Sequence, residues 1–324
     1  MFTKMITKSM EKALCGKQIS KGEALMLAGV EGTSLFDLFC AANRIRDYHR
    51  KDLVSLCAIM SVRAGNCTED CSFCAQSSKS KADIDRFPLK KKEEVHAGAR
   101  TARQFGAKRF CLVTGGKRVS DRDLASLSEM IPIVRDIGHL PCATLGLLGR
   151  GELEVLKAAG LHRYHNNLEA SESFFPSICS THTFRDKVDT IVSAKEAGLS
   201  ICSGGIFGLG ESWEDRVDMA IALRELDVDS VPINFLTPLQ GTGMESRVTL
   251  KPLDALKIIA LYRFLLPEKE IRVCGGRVQT LGDLSAYIFM AGADGLLIGN
   301  YLTTKGWEPA RDLAVLDSLG LKYA

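Results

Sequence analysis

Short apolar runs alternate with longer amphipathic stretches from residue 53 onward, and this alternation constrains the fold more than any other feature of the sequence. Strands that alternate with helices form parallel sheets built from β-α-β units. Eight such runs within roughly 250 residues predict an α/β chain with a (β/α)8 barrel, while a doubly wound open sheet would give the same alternation. The predicted strands are residues 53–60, 109–113, 140–145, 162–168, 199–203, 230–236, 271–274 and 295–298.

Helical periodicity occupies the intervals between these runs and also the first part of the chain. Residues 1–46 alternate apolar and charged positions at helical spacing, and they predict two or three helices that precede the barrel. No segment rich in Pro, Gly or Ser separates two units. We therefore predict a helical extension over residues 1–46 and one barrel domain over residues 47–324. The clearest predicted helices are residues 124–137, 183–197, 213–226, 252–265 and 281–291.

The charge balance and the hydropathy pattern exclude several classes of function. Lys and Arg total 42 and Asp and Glu total 39, so the net charge is only +3 and predicts no basic surface that would bind nucleic acid. No run of about 18 apolar residues predicts a membrane span. The amino-terminal segment also lacks the apolar core of a signal peptide. We therefore expect a cytoplasmic protein whose thiols stay reduced.

Three of the eleven cysteines, Cys67, Cys71 and Cys74, form a C-x3-C-x2-C loop directly after the first predicted strand. In a barrel this loop lies at the carboxyl-terminal mouth, where active sites are found. Three close thiolates suit a four-iron cluster that keeps one iron without a protein ligand, as a catalytic site requires. A structural zinc ion with a fourth ligand from elsewhere and a low-potential electron carrier are the alternatives.

The residues around this loop and four later motifs resemble the biotin synthase family of radical S-adenosyl-L-methionine enzymes. The similarity keeps the order of the motifs and extends from about residue 50 to the carboxyl terminus. The motifs are NCTEDCSFCAQSS at residues 66–78, RFC at 109–111, CATLG at 142–146, CSGGIFGLGE at 202–211 and SVPINFL at 230–236.

This resemblance implies a reaction as well as a fold. A 4Fe-4S cluster on Cys67, Cys71 and Cys74 would bind S-adenosyl-L-methionine and cleave it to a 5′-deoxyadenosyl radical. The radical would abstract hydrogen from two carbon atoms of dethiobiotin, and an auxiliary Fe-S cluster inside the barrel would donate the sulfur that makes biotin. The enzyme would then be a sulfurtransferase that receives electrons from a low-potential donor such as flavodoxin or ferredoxin, and a homodimer is expected.

The same resemblance assigns the ligands of the auxiliary cluster to Cys111, Cys142 and Cys202 and to an arginine that matches Arg272. This sequence departs from the family at Cys274, where a small residue is usual. Side chains two apart on a strand point the same way, so Cys274 faces the interior if Arg272 does. A thiolate is also a better iron ligand than a guanidinium, which stays protonated. Our hypothesis is therefore a four-iron cluster on four thiolates, and the alternative is a 2Fe-2S cluster with Arg272.

The resemblance further assigns contacts with the cofactor and the substrate. His165 stands where an asparagine is common, so a core role for this histidine is the alternative to substrate binding. Cys15, Cys40, Cys57 and Cys179 match no motif, and the sequence predicts no role for them. The residues assigned to S-adenosyl-L-methionine are Phe73, Thr114, Gly115, Gly116, Asn167, Glu169 and Ile206, and those assigned to the substrate are His165, Asn167 and Asn234.

Two other functions remain compatible with the cysteine loop. Another enzyme of the same subgroup, such as a methylornithine synthase or a hydrogenase-maturation enzyme, would share the loop without needing Cys111, Cys142 and Cys202. An iron-sulfur electron carrier would bind clusters without consuming S-adenosyl-L-methionine. The barrel alternation and the candidate substrate asparagines count against the carrier.

Overall fold

The computed structural model describes residues 2–324, and its first part consists of three helices, α1 (Phe2–Leu14), α2 (Lys21–Ala28) and α3 (Ser34–Arg50). Helix α2 begins with a capping box, in which Ser20 and Glu23 satisfy each other's backbone N–H groups. Helix α3 spans the boundary predicted at residue 46 and packs on a later helix, α9 (Pro252–Leu265). The expected two or three amino-terminal helices are therefore three.

Eight parallel strands close into a barrel, so the (β/α)8 prediction is confirmed and the open-sheet alternative is wrong. The eighth barrel strand, at Gly295–Leu297, pairs with the first, at Leu53–Arg63, so the barrel has no free edge. The fifth barrel strand is interrupted and consists of two short segments, β5 and β6, which both pair with β7. The strands are β1 (Leu53–Arg63), β2 (Arg109–Thr114), β3 (Leu140–Thr144), β4 (Arg163–His165), β5 (Ser200–Cys202), β6 (Gly205–Phe207), β7 (Ser230–Phe235), β8 (Glu270–Val273) and β9 (Gly295–Leu297), with β10 (Lys322–Tyr323) beside the start of β1.

Three of the helices that connect the strands begin at a side-chain cap. Ser120, Thr183 and Ser212 each accept a hydrogen bond from the backbone N–H three residues on, which satisfies one of the free donors at a helix start. The connecting helices are α4 (Lys92–Gln104), α5 (Asp121–Asp136), α6 (Arg150–Ala158), α7 (Phe184–Glu196), α8 (Trp213–Glu225), α9, α10 (Arg277–Leu281), α11 (Tyr287–Met290) and α12 (Pro309–Ser318).

The helix predicted over residues 281–291 is wrong as a continuous element. Helix α10 ends before Gly282, a 3-10 turn follows at Gly282–Ala286, and α11 then adds one short turn. Gly282 has φ +50° and ψ −125°, a conformation that an α-helix cannot contain and that glycine adopts most readily. The apolar periodicity persists across this break because the segments on both sides face the same core.

One apolar core lies between the outer face of the barrel and the surrounding helices. Arg263 on α9 is fully buried in it and pairs with Asp294, with 2.5 Å between Nη2 and Oδ1. Arg263 also donates to the carbonyl oxygens of Gly292, Pro267 and Lys269, so its charge is well satisfied. This ion pair links α9 to the residue that directly precedes β9. No helix among residues 2–324 has the length and apolarity needed to cross a membrane.

Candidate functional site

The cysteine loop leaves the barrel at the carboxyl-terminal end of β1 and folds back on itself through backbone hydrogen bonds. The N–H of Ser78 donates to the Cys67 carbonyl at 2.7 Å, and the N–H of Cys74 donates to the Cys71 carbonyl at 3.0 Å. Gln76 supports the loop from within, since its side-chain oxygen accepts from the N–H of Gly65 at 3.1 Å. The predicted position at the barrel mouth is thus the position found, with Cys67 buried and the other two thiols half-buried.

Inward-facing side chains of the barrel line a cavity of about 370 Å³ beneath this loop. The alternation of side chains along each strand decides which residues face it. Cys111 and Cys142 are directly paired across β2 and β3, and Cys202 is paired with His165 across β5 and β4. The thiols that line this cavity are those of Cys57, Cys74, Cys111, Cys142, Cys202 and Cys274.

Arg272 and Cys274 both line the cavity, on the same face of the segment that begins with β8. The Arg272 guanidinium donates through Nη2 to the Glu270 carboxylate and to Ser55 Oγ, the latter at 3.1 Å. Burial lowers the pKa of Arg272, but the Glu270 carboxylate outweighs it and holds that pKa well above its ordinary value. The guanidinium is therefore a cation engaged with a carboxylate, whereas the Cys274 thiol has no charged hydrogen-bond partner.

The interior thiols differ in how readily they ionise. Burial raises the pKa of Cys57 to about 12, and it also raises the pKa values of Cys111, Cys142 and Cys274. Burial acts in the same direction on Cys202, but His165, whose Nδ1 lies 3.3 Å from the sulfur, reverses the effect and brings the pKa to about 7. A thiolate in this interior therefore needs a nearby cation, which a bound metal supplies.

Polar groups form a ring at the level of the cavity mouth. Asn167 accepts a hydrogen bond from the N–H of Gly204 at 3.1 Å and donates to Glu169 at 3.2 Å. Asn234 donates to the carbonyl of Gly205 at 3.1 Å and accepts from the N–H of Gly275 at 3.0 Å. The backbone therefore fixes both amide groups. Desolvation raises the pKa of the Glu169 carboxyl group.

The other residues assigned from sequence lie close to this ring, although they do not all face the cavity. Phe73 and Ile206 line it, as does His165. The segment Thr114–Gly116 packs beneath the cysteine loop instead, where a Cβ at Gly115 would lie 2.3 Å from Gln76 Oε1. Sequence reasoning missed the loop at residues 301–304, which lines the cavity mouth after β9.

Two cysteines without a predicted role lie beside predicted cluster ligands. Cys57 packs against Cys274 and Leu297 inside the barrel. Cys179 is buried with its sulfur 3.7 Å from that of Cys71, although 108 residues separate them. Strand alternation could have placed Cys57, since it lies two residues before the inward-facing Ile59. No local signal could have placed Cys179.

The spacing of the sulfur atoms bears on the kind of metal group that fits. A single ion requires its ligand atoms close together, whereas a cluster spreads its ligands around several iron atoms. Among residues 2–324, Cys71, Cys179 and His182 are the group whose ligand atoms all lie within 4.8 Å of one another. The loop thiols and the interior thiols are more widely spaced, which fits iron-sulfur clusters and argues against one structural zinc ion at either place.

Comparisons with known proteins agree with this geometry. Residues 62–223 match the Radical SAM superfamily, and residues 232–322 match the Biotin and Thiamin Synthesis associated domain. A biotin synthase of Thermodesulfovibrio yellowstonii is 46% identical over 92% of this chain and 94% of its own length. A biotin synthase of Trichlorobacter lovleyi is 47% identical over 96% of this chain and 94% of its own length.

Solved structures support the fold independently. A methylornithine synthase superposes with a TM-score of 0.84 at 22% identity, covering 98% of this chain and 97% of its own. A maturase of the FeFe-hydrogenase from Carboxydothermus hydrogenoformans gives a TM-score of 0.81 at 20% identity, covering 98% of this chain and 79% of its own. At such low identities these two likenesses concern the fold alone, whereas the curated relatives decide the function. The chain belongs to the biotin synthases of the radical S-adenosyl-L-methionine superfamily, the enzymes that insert sulfur into dethiobiotin to form biotin.

Proposed function

We propose that Cys67, Cys71 and Cys74 hold the 4Fe-4S cluster of this biotin synthase and that Cys111, Cys142, Cys202 and Cys274 hold its auxiliary cluster. The observation that carries the proposal is the convergence of Cys111, Cys142, Cys202 and Cys274, from four different strands or strand ends, on one cavity beneath the cysteine loop. When bound, the loop cluster and S-adenosyl-L-methionine supply the 5′-deoxyadenosyl radical, and the auxiliary cluster supplies the sulfur atom.

The choice of Cys274 over Arg272 rests on what each side chain already contacts. Arg272 is a protonated guanidinium paired with Glu270, and a protonated guanidinium has no lone pair for iron. Cys274 offers a sulfur atom to the same cavity from two residues further along. Four thiolates are the ligand set of either a two-iron or a four-iron cluster, and we favour the four-iron form.

The chain positions S-adenosyl-L-methionine between the cysteine loop and the polar ring in this proposal. Asn167 holds the Glu169 carboxylate in place, and that carboxylate is suited to accept hydrogen bonds from the ribose hydroxyls. Ile206 and Phe73, which both line the cavity, add apolar surface for the adenine. We assign the backbone of Thr114, Gly115 and Gly116 to the amino-acid end of the cofactor.

The substrate would occupy the cavity between this cofactor and the interior thiols. An asparagine amide has two N–H donors and two acceptor lone pairs, so Asn167 and Asn234 each keep a donor and an acceptor for the cyclic urea of dethiobiotin. His165 lines the wall beside Cys202 and is assigned to the same chamber. The apolar side chains of Ile59 and Val113 keep water away from the reacting carbon atoms.

Three further parts of the proposal concern the whole protein. A low-potential donor such as flavodoxin or ferredoxin would supply electrons, because the first cluster must reduce a sulfonium. Two copies of the chain would associate as a homodimer. Residues 1–46 would act as a helical extension on the barrel domain over residues 47–324, since α1 and α3 pack on α9.

Iron and sulfide analysis tests the auxiliary ligand set directly. We would reconstitute the Cys67→Ala/Cys71→Ala/Cys74→Ala variant without oxygen, so that only the auxiliary cluster forms. Four irons per chain are expected, and Cys274→Ser should lower that content. Cys57→Ser is the matched control, because Cys57 lies beside Cys274 in the same cavity but outside the proposed set. A two-iron spectrum that Cys274→Ser leaves unchanged would contradict the assignment.

A further inference from the structure

A further group of side chains that could hold a metal ion, Cys71, Cys179 and His182, shares one residue with the cysteine loop and lies outside the lining of the cavity. Cys179 follows the 3-10 turn at Phe175–Ser177, and its sulfur is 3.7 Å from Cys71 Sγ. The ring nitrogens of His182 lie 3.2 Å and 3.8 Å from the same sulfur. Cys179 and His182 are both buried, so neither is a freely moving surface group.

These distances match those between ligands of a single tetrahedral ion. Thiolates about 2.3 Å from zinc and an imidazole nitrogen about 2.0 Å from it would place the two sulfurs about 3.8 Å apart and each sulfur about 3.5 Å from the nitrogen. The observed Cys71–Cys179 separation is 3.7 Å, and His182 Nε2, the ring nitrogen that Glu69 does not engage, lies 3.8 Å from the Cys179 sulfur. Two sulfurs and one nitrogen suit a thiophilic divalent cation and leave a fourth position for water.

Neighbouring carboxylates hold His182 and Cys179 in place through hydrogen bonds, as groups around metal ligands commonly do. Glu69 Oε2 lies 2.5 Å from His182 Nδ1, which fixes the ring and leaves Nε2, 3.8 Å from the Cys179 sulfur, as the nitrogen available to a cation. Lys117 lies 3.8 Å from the same carboxylate and balances its charge. Asp70 Oδ1 is 3.4 Å from Cys179 Sγ and accepts a hydrogen bond from that thiol.

The segment that carries Cys179 is firmly attached to the cysteine loop. Asp70 accepts hydrogen bonds from the N–H groups of Ser180 and Thr181 at 2.9 Å and 3.2 Å. The N–H of Ser72 donates to the Ile178 carbonyl at 2.9 Å. The placement of Cys179 against Cys71 is therefore determined by several backbone contacts and not by one side-chain rotamer.

We propose that Cys71, Cys179 and His182 form a mononuclear site for a thiophilic divalent cation, and that this site holds a ferrous ion before the cluster of the cysteine loop is assembled. Binding releases the protons of the two thiols. The inference rests on the proposed function only in that Cys71 also serves the loop cluster. Because one thiolate is common to both, the cation and the finished loop cluster exclude each other.

Cobalt serves as the probe of this site, because thiolate-bound Co²⁺ absorbs visibly. Iron-free, full-length protein would be titrated with Co²⁺ under anaerobic conditions. The unaltered chain should bind one more Co²⁺ than Cys179→Ala or His182→Ala, with matching loss of the sulfur-to-cobalt absorption. Cys40→Ala removes an exposed thiol and should bind as the unaltered chain does. Glu69→Gln should weaken binding roughly 10- to 100-fold, as expected for a ligand-orienting carboxylate.

Cys74→Ala separates this proposal from the proposed function. It removes a loop-cluster ligand but no member of the new group, so the extra Co²⁺ should remain while the loop cluster no longer forms. If Cys74→Ala loses the Co²⁺ and Cys179→Ala keeps it, the cation binds the loop thiols and the proposed site is wrong. Circular dichroism of each variant verifies that the barrel is intact.

Reconstitution kinetics test the role in assembly. With Fe²⁺ and sulfide, Cys179→Ala should form the loop cluster several-fold more slowly than Cys40→Ala while reaching the same final iron content. Protein whose loop cluster is already complete should not bind the extra Co²⁺. Equal assembly rates for Cys179→Ala and Cys40→Ala would contradict the proposal that the site captures iron for the loop cluster. Undiminished Co²⁺ binding to protein with a complete loop cluster would contradict the proposal that the cation and the cluster exclude each other.

Discussion

His165 Nδ1 lies 3.3 Å from Cys202 Sγ, across the pairing of β4 with β5 inside the barrel. With its proton on Nδ1 the ring donates to this sulfur and withdraws electron density from it, and hydrogen bonds to sulfur are among the factors that set the potential of an iron-sulfur cluster. The relationship joins the residue that departs from the common asparagine to a proposed ligand of the auxiliary cluster.

Replacement of His165 by Phe should therefore lower the reduction potential of the auxiliary cluster. The iron content should not change, because the four proposed thiolates remain. Potentiometric titration followed by electron paramagnetic resonance, in the Cys67→Ala/Cys71→Ala/Cys74→Ala background, measures the shift. His165→Asn can still donate a hydrogen bond to the sulfur. Its potential should therefore lie between that of the unaltered His165 and that of His165→Phe. An unchanged potential in both variants would show that the contact does not affect the cluster.

Replacement of Asn234 by Leu should weaken dethiobiotin binding while leaving S-adenosyl-L-methionine binding intact. The leucine keeps the volume but removes the amide, and a polar substrate group left without its partner costs roughly 1–3 kcal/mol. Equilibrium binding of each ligand to the reconstituted enzyme distinguishes the two effects. Equal loss of both ligands would instead indicate that the contacts of Asn234 with Gly205 and Gly275 mainly support the wall.

Removal of the Asp294 carboxylate should strongly destabilise the fold. Arg263 and Asp294 are both fully buried, and a broken buried pair leaves an uncompensated charge, which costs about 3–5 kcal/mol. Asp294 also accepts from the N–H of Ile271 at 2.8 Å. Denaturant unfolding of Asp294→Ala measures the loss. Asp317→Ala on the exposed face of α12 is the control and should hardly change the unfolding midpoint.

Stability should fall in mild acid partly because of His162. Burial, with Arg109 and Arg163 nearby, lowers its pKa to about 4, and Arg109 Nη1 donates to Nδ1 at 3.1 Å. The neutral ring is favoured in the folded chain. The contribution of His162 to the free energy of unfolding is therefore complete above about pH 6.5 and is lost as the pH falls towards 4. Denaturant unfolding at several pH values measures this loss. Over this range the free energy of unfolding should decline less in His162→Gln than in the unaltered chain.

Two glycine substitutions should have opposite effects. Gly204 joins β5 to β6, and a Cβ there would lie 2.0 Å from the Pro232 carbonyl oxygen. Gly204→Ala should therefore push this joint away from β7 and cost about 1–3 kcal/mol. It should also weaken S-adenosyl-L-methionine binding, because the Gly204 N–H holds Asn167.

The matched control is Gly22→Ala on helix α2, where nothing lies within 4 Å of a new Cβ. It should raise the free energy of unfolding by about 0.4–1 kcal/mol through the unfolded state. Denaturant unfolding of both variants and retention of the cofactor by each provide the measurements. Equal destabilisation by the two changes would contradict this interpretation.

The sequence by itself determined the architecture, because strand and helix periodicities are local properties. The eight apolar runs correspond to the eight barrel strands, whereas the break at Gly282, the second segment β6 of the fifth strand and the short strand β10 were not predicted. The period of two along a strand also places Arg272 and Cys274 on one face. The cysteine loop and its motifs were sufficient to indicate the family.

Only the tertiary structure decided which residues of distant segments meet. Cys179 lies against Cys71 because the segment after β4 folds back onto the cysteine loop. The two residues are 108 positions apart, and no periodic pattern in the sequence indicates their contact. Cys57 lies beside Cys274 because the barrel closes, which places β9 between β1 and β8 and brings the end of β8 close to β1. Local patterns record how a side chain points from its own strand, whereas ligand sets depend on barrel closure and loop conformation, which local propensities do not encode.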